Sequence, residues 1–512
     1  MSTTLLVGGH VHTPTAAGAT AMAYSEGTVA WVGADGPARA LFDGADEVVE
    51  LQGALVTPAF VDAHVHATSA GLLLDGLDLT GCGSLEACLD TVARHAAIRP
   101  GTLLWGHGWD DTGWPQRRPP SRAELDRAAG GAAVYLSRID GHSAAVSAAL
   151  LDRAPEAIGA AGWSPCGPLS REAHHHARRA ALDAVTPGQR RAAQRAFLAH
   201  AAARGVAVVH ECAGPEVSGV ADLADLTGSD TGVEVVGYWG QAVTTSGQAT
   251  ELLAATGAHG LAGDLFCDGA LGSRTAALRE SYTDAPATHG AAYLDAAAVA
   301  AHLVACTRAG TQAGFHVIGD AATDAVIAGF AAAEAQLGRA ALSARTHRLE
   351  HLEMVEQAQA EQLARWGVVA SVQPGFDAAW GGPNGMYALR LGAGRAAAMN
   401  PFAMLARAGV TLAFGSDTPV TPVDPWATMR AAVHHRTPGA GIPPRAALDA
   451  HTVAGYRAAG VLAAGTLVPG APASYAVWDA EPDLDTPDAD LPACLRTVHH
   501  GRVLFDRAGA SA

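Results

Sequence analysis

The chain contains no lysine. All 33 of its basic residues are arginine, so chemistry that needs a lysine amine is closed to it. The chemical consequence is the same whatever the origin of the absence. Other scarcities narrow the field further. Charged residues make up 16% of the 512 positions and hydrophobic residues 49%, enough for a large core, so no long disordered region is expected. Cations are outnumbered, and the formal net charge is −17. Binding a phosphate backbone needs clustered positive charge, which argues against a nucleic-acid partner. No apolar run reaches the length of about eighteen residues that a membrane span requires, so no membrane partner is expected. The segment Met1–Val7 lacks the basic stretch, apolar run and cleavage site of a signal peptide. The seven cysteines are scattered, with no CxxC pair, as in reduced thiols. Together these features lead us to expect a cytoplasmic protein. No GxGxxG follows an early strand and opens a helix, which sets aside a Rossmann oxidoreductase.

What is present is organised. Short strand-like pieces separated by glycine fill residues 1–56, among them Leu5–Val7, Thr28–Val32 and Glu47–Leu51. Similar material returns within 462–512, in Ser474–Trp478 and Gly501–Phe505. We therefore expect one small β domain built from both ends of the chain. Between them, residues 57–461 alternate apolar strands with Ala-rich helical stretches, the pattern of βα units on a parallel sheet. Candidate strands end near His66, Glu211, Trp239, Asp268, His316, His351, Gln373 and Asp417. The long interval of about 69–204 reads as an insertion over the mouth of a barrel.

Chemistry concentrates at those strand ends. In Phe60-Val61-Asp62-Ala63-His64-Val65-His66, two histidines at i, i+2 on one strand share a face and can share a metal ion. The spacing alone is weak among 23 histidines, and His10-Val11-His12 repeats it in the terminal β segment. Position separates the two, because parallel barrels place chemistry at the C-terminal ends of their strands. His316, His351 and Asp417 end three further strands, and four imidazoles with a carboxylate suit zinc or a similar divalent ion. The clusters His174–His176, His434-His435 and His499-His500 fall in polar segments and are expected to be solvated.

The order HxH, His, His, Asp resembles the amidohydrolase superfamily. The fuller string is similar to its YtcJ-like branch (amidohydrolase family 3), which includes N-substituted formamide deformylases. The resemblance rests on Thr57–His66, Asp140-Gly141-His142-Ser143, Asp268–Ala276, His316 with Ile318-Gly319-Asp320, and Gly415–Val420. It implies a TIM-type (β/α)8 barrel with a small β-sandwich domain. It also implies a small-molecule substrate and hydrolysis of an amide, formamide or cyclic amide C–N bond by metal-activated water, and many members of the superfamily are oligomers. Asp417 would act as general base and then general acid. His316 or His351 would stabilise the developing oxyanion.

The sequence departs from this pattern at one place. Many members bridge two metals with a carboxylated lysine after the fourth strand; here Asp264 occupies that place, so a carbamate bridge is excluded. Glu211 and Asp264 are the candidates for an extra metal ligand beside His64, His66, His316, His351 and Asp417, with Cys267 a weaker third. One zinc per chain is the favoured reading; a carboxylate-bridged pair, manganese or iron stay open. His142, Trp109, Asp110, Asp268, Arg274 and Gln373 are the candidate substrate neighbours. Arg274 would pair either with a substrate carboxylate or with Asp268. Ring deamination, ester hydrolysis or decarboxylation would use the same metal site, and retention of every ligand argues against a non-catalytic barrel.

Overall fold

The computed structural model describes residues 2–99 and 101–509; Met1, Pro100 and residues 510–512 lie outside the described residues. Two sheets are made from chain termini. A four-stranded sheet runs in the order Thr28–Gly33, Ala21–Ser25, Thr3–Val7, Glu47–Glu50. A five-stranded sheet joins His10–Val11 and Leu55–Pro58 to the C-terminal strands Tyr475–Trp478, Cys494–His499 and Arg502–Asp506. Leu55–Pro58 pairs antiparallel with Tyr475–Trp478, so the two ends of the chain are stitched by backbone hydrogen bonds. Leu6, Met22, Val56, Tyr475 and Val498 pack in one apolar cluster between the sheets.

The middle of the chain forms parallel strands flanked by helices. One sheet has Phe60–Val65, Val206–Ala213 and Glu234–Trp239. The other has Gly314–Val317, Arg348–His351, Val369–Val372 and Thr411–Phe414. Most of these strands are buried end to end, as expected when helices cover a parallel sheet, and their Val-rich runs supply the β-branched residues such strands favour. Isolated parallel bridges link the two sheets on both sides. Val65 meets Thr418 at one edge; at the other, residues 260–266 run between Tyr238 and His316.

That connecting segment is irregular, and its register shows why. Leu261 bridges Ala313 and Phe266 bridges His316, so five residue steps (261 to 266) face three (313 to 316). The two extra residues bulge out of the ladder. Gly263 supplies the turn at φ +75°, a backbone conformation side chains other than glycine rarely adopt, and Asp264 follows it into the interior. The first and last parallel strands meet with equal economy of space. A Cβ on Gly415 would lie 2.5 Å from the backbone nitrogen of His64. The Asp62 carboxylate accepts from Ser416 N (2.8 Å) and His64 N (3.3 Å), tying these two strand ends together.

Between the first and second parallel strands, a separate five-stranded sheet contains Leu104–Trp109, Val134–Arg138 and Ser143–Val146. It is pinned over the strand ends by polar contacts. Ser273 Oγ donates to Asp140 (2.9 Å), and Ser143 and Ser273 hydroxyls are 2.9 Å apart.

Gly415→Ala will force the His64 backbone away from Asp417. The expected cost of such overpacking is about 1–3 kcal/mol of stability, read by chemical denaturation, together with weakened metal binding read by calorimetry.

Candidate metal centre

The strand ends converge on one buried cluster. His64 and His66 close the first parallel strand, and alternation puts both on the same face. His316 and His351 come from neighbouring strands, with ring centroids 4.5 Å apart. His351 (φ +69°) and Asp417 (φ +53°) both have left-handed backbone, which breaks strand alternation and turns each side chain inward. Asp264 sits among them. Its Oδ1 is 3.4 Å from His316 Nδ1 and 3.7 Å from both His64 Nε2 and His351 Nε2. Its Oδ2 lies 3.2 Å from His66 Nε2. Asp417 Oδ1 is 3.1 Å from His66 Nε2 and 3.4 Å from His64 Nε2.

Each of three imidazoles is fixed by a bond at its outer nitrogen. His64 Nδ1 donates to Glu350 (2.9 Å), His351 Nδ1 to the side-chain Oε1 of Gln373 (2.8 Å), and His316 Nε2 to the backbone carbonyl of Gly269 (3.3 Å). These bonds select the tautomer whose inner nitrogen carries a lone pair toward the centre. Glu350 is held in turn by the fully buried Arg348, whose guanidinium lies 4.3 Å from the Tyr238 ring centroid and donates to the Ala63 carbonyl and the Ser371 hydroxyl.

The charge pattern fits a cation. His64 Nε2, His316 Nδ1, Asp264 Oδ1 and Asp417 Oδ1 are all buried with no hydrogen-bond partner among the described residues. Four inward-facing donor atoms left unsatisfied in one place is costly unless an ion collects them. His64, His66 and Asp417 form one group with ligand spacing, and His64, Asp264 and His351 another. Burial works against ionising Asp264, yet His64, His316, His351 and His66 hold its pKa well below the ordinary value. Asp417 is lowered in the same way by His64 and His66, again against burial. Burial also opposes charging His66 and His351, but the two carboxylates outweigh it and lift them to about 10 and about 9. Without an ion, protonated imidazoles supply the positive charge the carboxylates demand.

The other expected ligands stand apart. Glu211 accepts from Ala67 N (2.8 Å), and burial pushes its pKa to about 8. Neither Glu211 nor Cys267 belongs to a described group with metal-ligand spacing. Of the candidate substrate neighbours, His142 reaches the centre, its ring centroid 5.0 Å from that of His316. Gln373 acts on His351, as above. Asp268 is a buried clamp that accepts from the backbone nitrogens of Ala277, Ile318 and Gly319. Arg274 pairs with Asp284 (2.7 Å) rather than Asp268. Trp109 is buried in the insertion's own core, its indole nitrogen donating to the Leu136 carbonyl. Asp110 pairs with Arg138 (2.5 Å).

The histidine clusters expected in solvent need correcting. His174 is buried and bonds the Tyr135 hydroxyl (2.8 Å), His435 bonds the Asn400 carbonyl (2.9 Å), and His499 pairs with Glu234 (3.1 Å). The polarity of the flanking sequence gave no hint that insertion and loops fold over these rings. Sequence reading also missed Arg348 and Glu350. The available signal was two charges at i, i+2 inside a short buried strand, which places both on the interior face.

A cleft leads to the cluster, lined on the insertion side by Trp105, His107, Tyr135, His142, His174 and Arg178. A smaller lobe adjoins it, with Asp417, His351 and His142 on both walls.

Residues 47–505 match the amidohydrolase family. The chain belongs to this family. It is 28% identical to Protein LONG AFTER FAR-RED 3 of Arabidopsis thaliana, across 90% of this chain and 85% of that protein. It is 26% identical to the putative amidohydrolase YtcJ of Bacillus subtilis, across 90% and 91%. It is 25% identical to an N-substituted formamide deformylase of Arthrobacter pascens, across 96% of both chains. An uncharacterized metal-dependent hydrolase from Pyrococcus furiosus shares the fold, with a TM-score of 0.72 at 24% identity over 94% of this chain and 99% of that one. The fold is thus of the TIM-barrel α/β type, and the chain is an enzyme of the amidohydrolase class. Among the described residues no helix is long and apolar enough to cross a membrane.

Two outcomes are expected at this centre. Zinc binding to metal-stripped protein at pH 7 will expel protons from His66 and His351, because their raised pKa values keep them protonated there. Affinity therefore rises with pH until these groups have titrated, and calorimetry in buffers of different ionisation enthalpy reads the proton release. Glu350→Gln will weaken zinc binding by about 10–100-fold, since Gln cannot match the carboxylate's hold on His64.

Proposed function

We propose that this enzyme hydrolyses a C–N bond of a small molecule, in an amide, formamide or cyclic amide, with water activated at one divalent ion, zinc being favoured. The observation that carries the reading is the convergence of unpartnered inward-facing atoms on His64, His316, Asp264 and Asp417. His64, His66 and Asp417, or His64, Asp264 and His351, would hold the ion and leave a position for water, with His316 beside them. When bound, a divalent ion lowers the pKa of water and polarises the scissile carbonyl. A single ion is favoured because both ligand groups use His64, whose outer nitrogen is committed to Glu350 and whose inner nitrogen serves one ion.

The chain's own residues supply the rest. Asp417, kept ionised by His64 and His66, takes a proton from the attacking water and returns it to the leaving nitrogen. Burial holds the His142 imidazole well below its ordinary pKa, so it meets the substrate oxygen as a neutral hydrogen-bonding partner beside His316. The similarity to an N-substituted formamide deformylase supports formamides as the first class to test. In this reading residues 57–461 form a (β/α)8 barrel, closed by the bridges at Val65–Thr418 and through 260–266 and carrying the insertion at about 69–204. Residues 1–56 and 462–512 form the composite β-sandwich domain.

The test is elemental analysis with chelator-reversed hydrolysis of N-formyl and N-acyl amines, assayed as amine release. One zinc per chain and activity restored by zinc are expected, while two metals would indicate a carboxylate-bridged pair. No hydrolysis of any panel member by metal-loaded protein contradicts the reading. Asp417→Asn is expected to lower kcat by about 10²–10⁴.

A further inference from the structure

The smaller lobe beside the centre is walled by Leu271, Ile318, Phe376, Trp380, Met386 and Tyr387 and opens onto His316, His351 and Asp417. Asp140 and His142 also line it, and the Asp140 carboxylate has Arg138 beside it at 3.2 Å, whereas the remaining carboxyl has no ion pair among the described residues. Glu353 also lines the lobe and is only 3% exposed, and its Oε2 is buried with no hydrogen-bond partner among the described residues. The side chain is held in place: the Tyr387 hydroxyl hydrogen-bonds its carboxyl, and Tyr387 is itself bonded by Asn400. The backbone is held as well, with Asn400 N donating to the Glu353 carbonyl (2.9 Å). Glu353 belongs to neither ligand group of the centre, and the hydrolytic steps make no use of it.

An unpaired carboxyl oxygen on a residue that lines an aromatic chamber is costly when empty and complementary to an apolar group carrying a donor. We propose that Glu353 is a specificity-determining residue that selects substrates whose apolar substituent, seated among Phe376, Trp380 and Tyr387, bears an N–H or O–H aimed at Oε2. The class that fits is an amide or formamide with a hydroxyaryl or aminoaryl substituent on one side of the scissile bond. This assignment rests on the hydrolase reading for its reaction, though not for its binding geometry. Sites built to hydrogen-bond a substrate group discriminate strongly against analogues lacking it, because the protein's own polar atom is then left unpaired.

The experiment uses the full-length protein with two readouts. The first is kcat/KM of the zinc-loaded enzyme for 3- and 4-hydroxybenzyl formamides against their fluorobenzyl counterparts, which match in shape but lack the donor. The second is calorimetric binding of p-cresol against 4-fluorotoluene to metal-stripped protein. A preference of about 10-fold or more for a hydroxyl-bearing member is expected. Glu353→Leu should reduce it to within about twofold, with the near-isosteric Glu353→Gln intermediate. Hydrolysis of both members at equal rates, with equal binding of the probes, overturns the assignment and leaves the hydrolase reading intact. A preference that survives in Glu353→Leu also overturns it. Selective p-cresol binding that depends on Glu353, without hydrolysis of any formamide, supports the lobe's assignment and contradicts the hydrolase reading instead.

Discussion

The structure turns on two carboxylates and four imidazoles forced into one buried space. Asp264 and Asp417 lie within 3.1–3.7 Å of histidine nitrogens from three strands, at the buried end of the cleft. Such a cluster is stable only when positive charge balances it, from protons on His66 and His351 or from an ion. Much of what surrounds it serves to keep the arrangement rigid. Asp62 ties the first and last parallel strands, Arg348 and Glu350 orient His64, Gln373 orients His351, and Asp268 clamps the loops around His316.

The absence of lysine sets the most distinctive local problem. A long side chain can reach the centre from a regular strand, and an aspartate is several bonds shorter. The chain brings its backbone inward instead. Two extra residues between Leu261 and Phe266, with the turn at Gly263, move Asp264 rather than extending it. Asp264 reaches all four histidines, whereas Glu211, the other carboxylate considered, is spent on a backbone nitrogen.

Much of this was legible in the sequence. His64 and His66 announced themselves through strand periodicity, and His316, His351 and Asp417 through their place after short apolar strands. The pairing of the two termini was visible as strand-like segments at both ends. What could not be read were interactions that depend on register and on chain reversal. The bulge at Asp264 appears only when 261–266 is laid against 313–316, because periodicity cannot show two extra residues in an irregular segment. Trp109 and Asp110 read as substrate neighbours because aromatic rings and carboxylates mix in Trp105–Asp111; packing within the insertion and the ion pair to Arg138 claim them instead. Glu353 stood out in neither pattern, since its meaning comes from the aromatic residues of distant helices.

The central claim is that Asp264, carried inward by the bulge, takes part in holding the ion. It is tested most directly by a crystal structure of the zinc-loaded enzyme with anomalous diffraction measured at the zinc edge. The account predicts a strong anomalous peak among His64, His66, His316, His351 and Asp417, with an Asp264 oxygen at bonding distance. A peak coordinated by Glu211 or Cys267 with Asp264 turned away, or no peak among these residues, would contradict it.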